Sequence, residues 1–188
     1  MQITLVRHGE PDHNGARWCT PREMKTWIEG YNQADIIEKP LPAALQQLAD
    51  EAGAVVSSSL SRCQQSTHHL VGEPQCVNDR LFAEAHLPYP DLDFPRLPVR
   101  VWRTLFRGAW FLGFSRHTES IGQSSERARQ AAERLIALAQ EHGSVLLMGH
   151  GIMNILIARH LRAQGWKGPQ LLFLRDYWHP STYRKPGD

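Results

Sequence analysis

The chain has 188 residues, of which 41% are hydrophobic and 21% are charged. This length is typical of one domain with a full hydrophobic core, and the composition excludes collagen-like, coiled-coil and low-complexity chains. The net charge of +2 at pH 7 gives no global indication of a nucleic-acid partner. No apolar run is long enough to span a membrane, so no membrane span is predicted.

The cysteine pattern indicates a reducing environment. Cys19, Cys63 and Cys76 are an odd number without C-x-x-C spacing, which argues against a disulfide framework or a cysteine-based zinc site. Cys63 is predicted to be a buried, inert thiol. A strand-like segment at residues 2–6 directly follows Met1 and leaves no room for a signal peptide, so we expect a cytoplasmic protein.

Short apolar runs alternate along the chain with stretches of helical periodicity. The predicted strands are residues 3–6, 54–57, 75–78 and 144–148. The predicted helices are residues 41–51, 60–71, 120–142 and 152–164. This alternation predicts a single α/β domain over residues 1–188, a three-layer sandwich with a mostly parallel central sheet.

Chemically active residues follow each of the four predicted strands. Arg7 and His8 come after the first strand, Arg62 after the second, Glu84 beyond the third and His150 after the fourth. Because the carboxyl ends of parallel strands meet at one edge of a sheet, these five side chains are expected to lie together.

This set of residues suits phosphoryl transfer through a phosphohistidine. A neutral imidazole is a good nucleophile near neutral pH. Arginine forks and donating imidazoles stabilise the charge on the phosphoryl oxygens, and a carboxylic acid can protonate the leaving oxygen. Fixed cations already fill such a site, so neither a metal nor another cofactor is predicted.

Five short motifs follow one another in order. They are LVRHGE at residues 5–10 with Asn14, SSLSR at 58–62 with Thr67, Phe82-x-Glu84, Glu119-Ser120 with Arg127, and GHG at 149–151. Together they resemble the signature of the histidine phosphatase superfamily, which includes cofactor-dependent phosphoglycerate mutase and many phosphatases. The resemblance covers most of the chain and implies a phosphoglycerate mutase-like fold.

The resemblance also implies roles for individual residues. His8 would be the phosphorylated nucleophile. Arg7, Arg62 and His150 would complete the phosphate pocket, and Asn14 would be a further phosphate contact.

The proton donor implied by the resemblance is Glu84, with Glu119 as the next candidate. A structural alternative exists for Glu84, because it stands four residues after Arg80 and could form a surface ion pair with it.

These observations predict a metal-independent phosphomonoester phosphatase that acts on a small phosphorylated substrate or a phosphoprotein. Two alternatives are a phosphoglycerate mutase-like phosphotransferase and a non-catalytic module that binds a phosphorylated ligand. The sequence carries no signal for a particular oligomeric state.

Residues 86–117 differ from the rest of the chain because they concentrate prolines and aromatic residues. They are predicted to be an insertion above the sheet. A helix over residues 99–113 would place Trp102, Phe106 and Trp110 on one face and its arginines away from that face. Three roles are open: packing on the core, a lid over the phosphate pocket, or a membrane-surface helix. As a lid, the aromatic face would roof the pocket and favour bulky apolar leaving groups.

Overall fold

The computed structural model describes residues 1–72 and 77–187. Its strands are β1 (Gln2–Arg7), β2 (Trp18–Cys19), β3 (Ala54–Ser58), β4 (Val77–Asp79), β5 (Leu97–Pro98), β6 (Ser144–Gly149) and β7 (Pro180–Arg184). Its helices are α1 (Met24–Gln33), α2 (Ala43–Asp50), α3 (Ser61–Val71), α4 (Val99–Phe111), α5 (Ile121–His142) and α6 (Gly151–Ala163), with a short 3-10 turn at Arg80–Phe82.

The main sheet has five strands in the order β4-β3-β6-β1-β7. The first four are parallel to one another, and β7 pairs antiparallel with β1. The strands β2 and β5 form a separate two-stranded ribbon. The mostly parallel sheet confirms the predicted fold class.

The sheet is covered on both faces, as a parallel sheet requires. Alternate residues of β1 and β6 enter two different core clusters, because successive side chains of a strand point to opposite faces. Ile3 and Val145 pack in the cluster formed with α5 and α6, whereas Val6 and Leu146 pack in the cluster formed with α2 and α3. The molecule is therefore a three-layer α/β/α sandwich.

The predicted elements agree with the observed ones to within a few residues. The third predicted strand is observed as Val77–Asp79, and residues 75 and 76 lie outside the described part of the chain. Helix α5 begins at a capping box in which Ser120 and Gln123 satisfy each other's backbone N–H groups. The elements α1, β2, β5 and β7 were not predicted. Helix α1 buries only Met24 fully.

The predicted insertion helix exists as α4 and packs on the core through its aromatic face. Trp102 and Phe106 form a third cluster with Cys19 and Met24, while Trp110 is fully buried in the cluster beneath α5. No helix of the described chain combines the length and the apolar character needed to cross a bilayer. Core packing of the aromatic face is thus the observed arrangement.

Candidate active site

A cavity of about 560 Å³ opens at the carboxyl edge of β1. The sheet side of the cavity is lined by Arg7, His8, Arg62, Glu84 and Gly151. The opposite side comes from α1 and α4. The structure thus brings together four of the five residues that the strand-end argument predicted. The volume lies in the range of small-molecule sites.

His8 lies at the end of β1 and is 2% exposed. Its Nδ1 lies 2.7 Å from the Gly9 carbonyl oxygen, an acceptor, so Nδ1 carries the proton and donates it. The lone pair of the ring is then on Nε2, where it accepts a hydrogen bond from Arg62 Nε at 3.1 Å. The reactive nitrogen of a neutral imidazole therefore lies beside a guanidinium that can bind an oxyanion.

Burial lowers the pKa of His8 to about 3, and the positive charges of Arg62 and Arg7 act in the same direction. The hydrogen bond to the Gly9 carbonyl opposes this shift but does not cancel it. His8 is therefore neutral across the physiological pH range, which is the form that a nucleophile needs.

Two arginines, Arg7 and Arg62, flank His8. Arg62, at the start of α3, is 2% exposed and donates from Nη1 to Asn32 Oδ1 at 3.1 Å. Arg7 donates to the Arg175 carbonyl, and its guanidinium lies 4.0 Å from the centre of the Tyr177 ring. Neither has an ion-pair partner in the described chain. Because an uncompensated buried charge is costly, this arrangement favours a bound anion.

His150 is fully buried behind His8 and does not line the cavity. The two rings are 5.1 Å apart, and His150 Nε2 lies 2.8 Å from Ser58 Oγ and 3.3 Å from Cys63 Sγ. Burial, Arg62 and His8 hold the pKa of His150 well below its usual value, so it is neutral. The structure thus places this residue behind His8 rather than on the cavity surface. Cys63 is confirmed as a buried thiol, and burial raises its pKa.

Glu84 lines the cavity beside the N-terminus of α6. Its carboxylate accepts hydrogen bonds from the backbone N–H of Met153 at 3.0 Å and of Ile152 at 3.4 Å. The alternative surface pair with Arg80 is not formed. The helix N-terminus, with its unpaired N–H groups, holds the carboxylate at the cavity wall.

Glu119, the second candidate donor, does not line the cavity. It forms an ion pair with Arg127; burial raises its pKa, but the hydrogen bonds and the positive charge of Arg127 keep it below its ordinary value. Arg127 also donates to the backbone carbonyls of Leu81 and Ala83, at 3.0 and 2.6 Å. The Glu119–Arg127 pair therefore holds the segment that carries Glu84, and the prediction of Glu119 as a donor finds no support in its position.

Asn14 is not brought to the cavity. Its side chain is exposed and donates to Asp12 Oδ1 at 3.3 Å, while the neighbouring His13 packs edge-on against Trp27 at 4.9 Å. The loop therefore contacts α1 through His13. Asn32, on the unpredicted helix α1, lines the cavity and contacts Arg62 instead.

The far wall of the cavity is formed by the arginine face of α4, and Trp102, Phe106 and Trp110 do not line it. The prediction that the aromatic face roofs the pocket is wrong, because that face packs against the core. The arginines on this wall are Arg100, Arg103 and Arg107.

Comparisons with known proteins identify the family of the chain and structures of similar fold. A sequence model described as "Histidine phosphatase superfamily (branch 1)" matches residues 3–176. A search of curated proteins finds no match. Among solved structures, the chain is similar to mycobacterial hydrolase 1, at 19% identity and a TM-score of 0.65 over 100% of this chain and 92% of that one.

Two further similar structures are named as phosphatases. Mycobacterial glucosyl-3-phosphoglycerate phosphatase is 20% identical with a TM-score of 0.61, over 96% of this chain and 88% of that one. The alpha-ribazole phosphatase from Shigella flexneri is 18% identical with a TM-score of 0.56, over 97% of this chain and 89% of that one. At these identities the likeness establishes the fold.

Proposed function

This chain belongs to the histidine phosphatase superfamily (branch 1), and we propose on that basis that it is a metal-independent phosphatase of small phosphomonoesters that works through a phosphohistidine at His8. The observation that carries the proposal is the contact of His8 Nε2 with Arg62 Nε at 3.1 Å. It sets a neutral nucleophile beside a fixed cation at a cavity wall.

In the proposed reaction the lone pair of His8 Nε2 forms a bond to phosphorus while the bond from phosphorus to the ester oxygen breaks. Arg62 and Arg7 hold the phosphoryl oxygens during this step. Glu84, in its protonated form, gives its proton to the leaving alcohol. A water molecule then attacks phosphorus, the bond to His8 breaks, and Glu84 takes the proton of that water. The products are the alcohol and inorganic phosphate.

The similar structures support hydrolysis, since two of them are named as phosphatases and one of these is described in complex with inorganic phosphate. His150, held by Ser58 and Cys63, supports the proposal in a different way: its neutral ring packs against His8 and fixes the plane of the nucleophile.

The test is phosphate release from p-nitrophenyl phosphate and a panel of sugar, nucleotide and amino-acid phosphates, with excess EDTA present. We expect turnover in EDTA because the charge of the transferred group is met by arginines. The His8→Gln variant should lose at least about 10⁴-fold in kcat, as removal of a nucleophile does elsewhere. Activity that needs a divalent metal, or that survives in the variant, would contradict the proposal.

A second experiment distinguishes hydrolysis of the phosphomonoester from transfer of its phosphoryl group. The protein is incubated with 3-phosphoglycerate and 2,3-bisphosphoglycerate, and the position of the phosphoryl group is followed by NMR. Phosphate release without isomerisation supports a phosphatase, whereas isomerisation indicates a mutase-like phosphotransferase. Binding of these compounds without either reaction indicates a binding module.

A further inference from the structure

The wall of the cavity opposite His8 carries more positive charge than one phosphoryl group needs. Arg100, Arg103 and Arg107 stand at positions i, i+3 and i+7 of α4, so they share one helical face, and all three line the cavity. This face is adjacent to the aromatic face that anchors α4 to the core, and the Arg107 guanidinium lies 4.9 Å from the centre of the Trp110 ring.

None of these three arginines has a carboxylate partner in the described residues. Some other arginines of the described chain, such as Arg116, Arg127 and Arg129, do form an ion pair. The α4 arginines are supported by uncharged groups instead, which leaves their charges available to a ligand.

The supports hold two of the three guanidinium groups in place. Arg103 lies over the rings of Trp27 and Tyr31, at 5.5 and 6.0 Å from their centres. Arg107 donates from Nη2 to the Ala85 carbonyl at 2.8 Å, and its Nη1 is buried without a partner in the described structure. A buried, unpaired donor on a cation leaves a hydrogen bond to be made by a bound acceptor.

The cavity as a whole is lined by five arginines and by Glu84 as its one carboxylate within the described residues. A single phosphoryl dianion beside His8 would be met by Arg7 and Arg62. The three α4 charges, which lie on one helical face, would then have no bound anion beside them. We propose that Arg100, Arg103 and Arg107 form a subsite for a second anionic group, so that the preferred substrates are phosphomonoesters carrying a further phosphate or carboxylate.

The separation of the two anion sites is limited by Tyr31. Arg62 lies 5.3 Å and Arg103 lies 6.0 Å from the centre of this same ring, so their guanidinium carbons lie within the sum of those distances. A phosphorylated sugar or polyol with its second anion at the other end of a short carbon chain has this reach. The subsite rests on the proposed function for its first phosphate, but its effect on binding does not depend on turnover.

The experiment compares fructose 1,6-bisphosphate with fructose 6-phosphate, which lacks the second phosphoryl group. For each compound, kcat/KM is measured by phosphate release, and Kd is measured by calorimetry with the inactive His8→Gln variant. We expect the bisphosphate to be favoured by at least about tenfold in both quantities, well beyond the statistical factor of two from its two ester groups.

Arg103→Gln should lower this preference by about tenfold, the effect of losing a charge-assisted hydrogen bond. The matched control is Arg134→Gln, which removes the same charge from an exposed position on α5, outside the cavity. It should leave the preference unchanged. Because Arg103 is exposed, both variants are expected to fold, and a thermal melt verifies this.

Equal kcat/KM and equal Kd for the two compounds, or a preference that Arg103→Gln does not alter, would overturn the subsite while leaving the phosphatase intact. A protein that hydrolyses no phosphomonoester, including p-nitrophenyl phosphate, would overturn the proposed function. In that case the ratio of the Kd values, with its dependence on Arg103, still decides the subsite.

Discussion

The two walls of the cavity are built in different ways. On the sheet wall, His8 and Arg62 are buried and are held by direct hydrogen bonds to each other and to the neighbouring backbone. On the helix wall, Arg100 and Arg103 are exposed, and Arg103 rests on aromatic rings. Bond making requires fixed geometry, whereas recognition tolerates adjustment. Changes on the sheet wall should therefore affect the chemical step, and changes on the helix wall should affect the choice of substrate.

The largest expected effect concerns the anchoring of the helix wall. Trp110 is fully buried and donates from Nε1 to the Glu119 carbonyl at 2.9 Å. Trp110→Ala should cost about 3–5 kcal/mol of unfolding free energy, as for other buried aromatic truncations. Denaturant unfolding measures this cost. Trp110 itself does not line the cavity, so the ratio of kcat/KM for an aryl phosphate and for phosphoglycerate should shift only through Arg107, whose guanidinium lies 4.9 Å from the centre of the Trp110 ring.

The matched control for Trp110 is Phe111→Ala on the same helix. Phe111 lines the cavity and is 51% exposed, so its truncation should alter the substrate ratio with little loss of stability. If Trp110→Ala shifts the substrate ratio while the melting temperature is unchanged, the assignment of the two faces of α4 is wrong.

On the sheet wall, Arg62→Gln should reduce kcat/KM for p-nitrophenyl phosphate by about 10²–10³-fold, the effect of removing one preorganised donor from a developing oxyanion. The same assay on Arg134→Gln provides the comparison for loss of one positive charge. A reduction of less than tenfold for Arg62→Gln would mean that Arg62 does not contact the transferred group.

The effect of replacing Glu84 should depend on the leaving group of the substrate. Without a proton donor, an alkoxide departs far less readily than a phenolate of low pKa. Glu84→Gln should therefore slow a sugar phosphate by about 10²-fold or more, the usual contribution of a general acid, while p-nitrophenyl phosphate is slowed much less. Steady-state rates on both substrates measure this difference, and equal losses on both would remove Glu84 from the role of donor.

The smallest expected effect is on the pH dependence of the free energy of unfolding. The pKa of His8 in the folded chain is about 3, below its unfolded value, so the unfolded chain binds more protons between pH 6.5 and 3. The contribution of His8 to the free energy of unfolding is therefore fully present above pH 6.5 and is lost as the pH drops through that window. Between pH 7 and pH 5, His8 alone should contribute a loss of about 2 kcal/mol.

Denaturant unfolding of the wild type and of His8→Gln at the two pH values isolates the contribution of His8 to this loss. His150 is also buried and neutral, so it adds a dependence of the same sign in both proteins. The variant should be less sensitive to acid than the wild type. An identical pH dependence in the two proteins would mean that His8 is not held neutral by its surroundings.

The sheet wall could be predicted from the sequence because the positions and ends of strands are marked by local sequence patterns. Arg7, His8 and Arg62 directly follow buried strands, and a parallel sheet brings its carboxyl ends together whatever the loops do. His150 was predicted at the same edge, but its depth behind His8 depends on the packing of Ser58 and Cys63. Sequence spacing carries no information on that depth.

The helix wall could not be predicted, for two physical reasons. Asn32 on helix α1 was missed in favour of Asn14, because its contact with Arg62 joins segments that are distant in the sequence. For α4 the sequence predicted the helix and its two faces. Which face meets the cavity is decided by tertiary contacts with Cys19 and Met24, and these belong to distant segments.

The central claim is that His8 carries the phosphoryl group, and trapping the intermediate tests it most directly. The protein is mixed with p-nitrophenyl phosphate, denatured rapidly at alkaline pH, digested and analysed by mass spectrometry. We expect one added phosphoryl group on the peptide that contains His8, stable to base and lost in acid, and absent from His8→Gln. An adduct on another residue, or one that persists in His8→Gln, would contradict the account.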